Sequence, residues 1–106
     1  MPTRLLLALA LALSSLAAEE SWTGLLTDAM CARQDQSVHP VSCMIGCAKG
    51  GFGLVLENGR FLKFDPAGNE KALAALKATS KEKQVEATVK GSLAGETIAV
   101  TALELK

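Results

Sequence analysis

Asn58-Gly59 stands between two runs of alternating residues, and that arrangement predicts an antiparallel hairpin in the middle of the chain. In the first run Phe52, Leu54 and Leu56 alternate with Gly53, Val55 and Glu57; in the second, Arg60 to Asp65, Leu62 and Phe64 share one side. Both turn residues tolerate the positive φ of a type I′ turn, which makes this the strongest short-range fold signal in the sequence. Trp22 to Thr27 reads as an earlier strand, with Gly24 as a bulge or close-packing point. Asp65-Pro66-Ala67-Gly68 closes the hairpin's second strand, and Asn69 is the expected cap of a helix from Glu70 to about Thr79. Val85, Ala87 and Val89 alternate in a fourth strand, and Gly91 to Gly95 is the expected turn into a fifth. Ile98 and Val100 have one parity there and Leu103 and Leu105 the other, so a bulge near Thr101 is required.

Three strands, a helix and two further strands is the order of an oligonucleotide/oligosaccharide-binding (OB) barrel, so the expected class is mainly β with a small five-stranded OB-like barrel. An open antiparallel sheet with two helices on one face fits the same order of elements. Residues 1–18 have a short basic start containing Arg4, continue through an apolar run from Leu5 to Leu13 and end in small residues, the pattern of a cleaved export signal. The apolar run is short of the roughly 20 residues a bilayer span needs, so no membrane anchor is expected after cleavage. Residues 19–106 then form one domain, periplasmic or secreted from a bacterium. Without Arg4 the 11 basic residues become ten, against 11 acidic ones. A balance so close to neutral argues against a nucleic-acid partner.

Between the first two strands, Asp28 to Gly51 holds all three cysteines and the single histidine, spaced Cys31-x7-His39-x3-Cys43-x3-Cys47. Pro40 suits a helix start and Gly50-Gly51 its end, which predicts a helix over Val41 to Lys49. Val41, Met44, Ile45 and Ala48 form its apolar stripe; at about 100° per residue, Cys43 and Cys47 fall on the opposite side. The predicted juxtaposition is thus His39, Cys43 and Cys47 along one edge, with the Cys31 loop folded over it. A single histidine before proline also reads simply as a solvated loop residue.

Three chemistries fit these residues. An exported compartment favours a disulfide from Cys31 to Cys43 or Cys47, leaving a third thiol able to pair two chains. Cys31, His39, Cys43 and Cys47, with Asp28 nearby, would instead suit zinc or copper. Thiol redox chemistry is the third, although Cys-x3-Cys lacks the spacing of thioredoxin-type centres. Cys43 and Cys47 are poor disulfide partners, because residues i and i+4 of a helix hold their Cβ atoms about 5–6 Å apart and a disulfide wants about 3.8 Å. With no recognisable Ser-His-acid context, the expectation is a binding or structural module for a metal ion or small ligand, not an enzyme.

The chain also resembles a family of small exported bacterial proteins of unassigned function. The resemblance is carried by Gly24, Asp28-x-x-Cys31, His39-x3-Cys43-x3-Cys47, Gly50, Val85-x-Ala-Thr-Val89-x-Gly91 and Gly95-x-Thr97-Ile98. Members commonly have glycine after the first cysteine and an aromatic in the second strand, where this chain has Ala32 and Gly53 or Leu54. The resemblance implies export and the fold, and brings no activity.

Overall fold

The computed structural model describes residues 19–106, and the expected export signal over residues 1–18 lies outside them. Five strands, β1 (Glu20–Asp28), β2 (Phe52–Val55), β3 (Phe61–Phe64), β4 (Glu86–Ala94) and β5 (Thr97–Leu105), close into a ring in the order β1-β2-β3-β5-β4. β1 closes it by pairing antiparallel with β4 through Glu20–Leu25 and with β2 through Leu25–Asp28. The β3–β5 pair is parallel, matching Lys63 to Thr97 and Phe64 to Ile98. Closure rules out the open-sheet alternative and leaves no long unpaired edge.

Alternation fills the ring. Leu26, Leu54, Leu62, Phe64, Val85, Ala87, Val89 and Ile98 are buried in one core, joined by Ala72 and Leu76 from helix α2 (Pro66–Ala78). Helix α1 (Val41–Gly46) adds Val41 and Met44, with Ile45 and Ala48 packed at the margin, so the predicted apolar stripe is the face that packs. The helix is shorter than the sequence implied. It stops at Gly46, a poor helix former, and the chain continues through a 3₁₀ turn over Ala48–Gly50.

Three local expectations are corrected. The β2–β3 turn is not type I′: Leu56 and Arg60 close a three-residue loop, the Leu56 carbonyl accepts from Gly59 N–H at 2.9 Å, and only Gly59 has positive φ, +87°. That is a type I turn followed by a glycine bulge, and Asn58 stays at negative φ with its side chain accepting from Arg60 N–H. Helix α2 begins at Pro66, not Glu70, because Asp65 takes the cap and Pro66 the first helical position. Asn69 serves another purpose, its Oδ1 accepting from Phe52 N–H at 2.9 Å and tying α2 to the start of β2. Finally, β4 runs straight through Gly91 to Ala94, so the turn is confined to residues around Gly95.

The bulge required near Thr101 is present. Lys90 pairs with Ala102 and Gly91 with Val100, which leaves Thr101 as the extra residue; its hydroxyl donates to the Lys90 carbonyl at 3.2 Å.

Asp65 links this scaffold at two points, its Oδ1 accepting from Gly68 N–H at 3.0 Å and from Val100 N–H at 3.1 Å. Asp65→Ala removes a helix cap and strands a β5 donor, and should destabilise the protein by about 1–3 kcal/mol in urea titrations. An unchanged midpoint would mean that water replaces both bonds.

Candidate metal centre

The last residue of β1 carries an unusual side chain for its place. Asp28 has the parity of Leu26 and pairs directly with the core residue Phe52, so its carboxylate lies on the inward side of the sheet and is fully buried. A buried carboxylate must be partnered. Oδ1 lies 2.6 Å from His39 Nε2, and Oδ2 accepts from Cys31 N–H at 3.0 Å. Because a carboxylate only accepts, the short contact places a proton on Nε2. His39 is itself only 5% exposed, which corrects its reading as a solvated loop residue.

The intervening loop is held by polar contacts. Asp28 caps the 3₁₀ turn Ala29–Cys31, and Asp35 caps a second, Gln36–Val38, through Ser37 N–H at 2.9 Å and Ser37 Oγ at 2.6 Å. Those bonds hold the exposed Asp35 carboxyl below its ordinary range. The Gln36 amide donates to the Cys31 and Gln34 carbonyls at 2.9 and 3.0 Å. Two buried oxygens nearby in sequence, Thr27 Oγ1 and Gln36 Oε1, have no hydrogen-bond partner.

Asp28, Cys31 and His39 each present a ligand atom, and these three atoms lie within 4.8 Å of one another. Of the predicted edge of His39, Cys43 and Cys47 with the Cys31 loop folded over it, only His39 and Cys31 therefore meet in this group, and Asp28, placed only nearby by the sequence, is the residue that joins them. Cys43 is exposed and outside the group, because it lies on the solvent side of α1. Cys47, half-buried at the end of α1, also falls outside the three-residue group, although its thiol is near enough to help push the Cys31 thiol up. All three cysteines are unpaired thiols, with no disulfide among the described residues.

The Cys31 thiol is pushed above its ordinary value of 9.0, first by partial burial, then by the charge of Asp28 and the hydrogen bond to it, and lastly by Cys47. This is the reverse of a thiol activated as a nucleophile, which needs positive surroundings. Since folding favours the protonated thiol, its contribution to stability is complete below about pH 9 and is lost as pH rises through the folded value. In metal-free, reduced protein, alkylation at pH 8 should label exposed Cys43 first and Cys31 about tenfold more slowly, as mass spectrometry of timed digests would show. Equal rates would contradict the environment assigned to Cys31.

What the arrangement can do chemically follows from its donors. Oxygen, nitrogen and sulfur converge around a carboxylate's negative charge, and a cation would offset the burial and the repulsion that disfavour the Cys31 thiolate. The sequence signal for Asp28 was its parity: a carboxylate in phase with Leu26 at the end of a core strand demands a buried partner, and His39 is the only imidazole in the chain. Among the described residues no helix is long and apolar enough to cross a membrane. Comparison with protein-family models, curated proteins and solved structures finds no match.

Proposed function

We propose that this chain is an exported OB-like binding module that holds a thiophilic divalent cation, zinc above all, through Asp28, Cys31 and His39. The observation that carries the reading is the convergence of three donors of different type within 4.8 Å, two of them on buried side chains. Mixed S, N and O donors suit zinc or copper, whereas magnesium and calcium call for oxygen alone. The strand order β1-β2-β3-β5-β4, with a helix between β3 and β4 and the ligand-bearing segment between β1 and β2, supports the OB-like description. Near-neutral charge supports a small ligand over nucleic acid, and a protonated Cys31 supports binding over thiol catalysis.

Binding must release the Cys31 thiol proton, because the thiolate is the ligand, and a cation taken at Nε2 must move the ring proton now held against Asp28 to Nδ1. Calorimetric titration of the reduced full chain with zinc should give one site per chain, heats that vary with buffer ionisation enthalpy, and no binding of magnesium. His39→Ala should weaken it by about tenfold or more. Equal zinc binding by His39→Ala would remove the basis of the reading.

One observation favours a second reading, a disulfide staple: Cys31 and Cys47 are neighbouring thiols. Closing a loop of about 15 residues this way would stabilise the fold by about 3 kcal/mol in the chain-entropy account. Mass mapping of protein recovered from an oxidising compartment separates the readings, since a Cys31–Cys47 crosslink there excludes Cys31 as a metal ligand.

A further inference from the structure

Three ligands leave a tetrahedral cation one donor short. We infer that Cys47 supplies the fourth, giving a closed site of two sulfurs, one nitrogen and one oxygen from which Cys43 is excluded; this rests on the cation reading above.

The geometry is fixed by backbone. Ala29 N–H donates to the Gly51 carbonyl at 2.8 Å, so the 3₁₀ turn that carries Cys31 lies against the one that follows Cys47. Gly50 lies at the contact, where a Cβ would stand 2.8 Å from Met30 Cγ. Cys47 itself is fixed at the end of α1, its N–H shared between the Cys43 and Met44 carbonyls at 3.1 and 3.2 Å and its carbonyl accepting from Gly50 N–H at 3.1 Å. These contacts set the turn that bears Cys31 against the segment that bears Cys47, near enough for the two thiols to act on one another. Cys43, one turn earlier, points to solvent. Closure requires a modest movement of the Cys47 side chain, since its sulfur is not within the tight three-residue group.

A rival fourth donor is on the same loop. Gln36 Oε1 is unpartnered on a side chain 7% exposed, with its amide nitrogen already held by the Cys31 and Gln34 carbonyls. Sulfur and oxygen donors are distinguishable by the thiolate-to-metal charge transfer that only sulfur gives.

The test uses cobalt(II) added to the reduced full chain, read by ultraviolet and visible absorption. The expected result is tetrahedral d–d bands with charge transfer from two thiolates. Cys47→Ser should lower the charge-transfer intensity per bound cobalt to about half, and Cys43→Ser should leave it unchanged. A second measurement needs no variant: zinc should protect Cys31 and Cys47 from alkylation while Cys43 is still labelled. Full intensity in Cys47→Ser, or Cys47 labelled as fast with zinc as without, overturns the inference and leaves the three-residue site standing. Failure of the unaltered chain to bind cobalt at all sinks the underlying cation reading instead.

Discussion

Asp28→Ala should lower the free energy of unfolding of the reduced, metal-free protein by about 2–4 kcal/mol, because it removes two bonds to a buried carboxylate and leaves the His39 and Cys31 donors unsatisfied. Both side chains are enclosed, at 0% and 6% exposure, and water cannot take the place of the carboxylate beside His39. The substitution also releases Cys31 N–H from its 3.0 Å bond to Oδ2, so the first turn of the loop loses its cap. Against a total stability of about 5–15 kcal/mol for a domain of this size, that loss is large enough to leave a substantial unfolded fraction. Asp28→Asn keeps the shape and should cost less, because the amide oxygen still accepts one bond. Urea denaturation of the three proteins side by side checks this. A cost below about 1 kcal/mol for Asp28→Ala would mean that the pair behaves as an exposed one.

Gly91→Val should prevent folding altogether. A Cβ at this position would stand 2.1 Å from the Ala99 carbonyl oxygen and 3.0 Å from its carbon, a backbone obstacle that no side-chain rotation can relieve. The close approach occurs where the pairing of β4 and β5 shifts by one residue around Thr101. Val should be tolerated only if that shift is lost, and the shift is what keeps Ile98 and Val100 inside. Circular dichroism and amide exchange on the purified variant would reveal the collapse; native protection of the β4–β5 amides would contradict it.

Gly91 shows why parts of this fold were legible in the sequence and others were not. The parity conflict between Ile98/Val100 and Leu103/Leu105 announced the bulge, because with a period of two nothing else turns both pairs to the same side of the sheet. The glycine opposite it was read as a turn, since a missing side chain looks the same whether it serves a bend or a close approach. Asp65-Pro66 was likewise ambiguous: the same dipeptide closes a strand and opens a helix, and here it does both, with Asp65 accepting from Gly68 N–H in the helix and from Val100 N–H in β5. In the site, the helix stripe correctly put Cys43 toward solvent. Spacing could not reveal that Asp28 and His39 pair, because that contact spans a loop whose path is set by side-chain caps at Asp28 and Asp35 and by the Gln36 amide bonded across it.

The chain's single histidine makes the central claim directly measurable. Proton–nitrogen correlation across the imidazole of the reduced full chain gives one set of ring signals, which need no assignment. Without metal the account requires a proton on Nε2, held by Asp28 at 2.6 Å. With one equivalent of zinc, a ring nitrogen should take on the shift of a metal ligand, in slow exchange with the free form, and the bridging proton signal should change or vanish. Ring nitrogens unmoved by zinc, with the Nε2 proton still in place, would contradict the claim that His39 holds a metal together with Asp28 and Cys31.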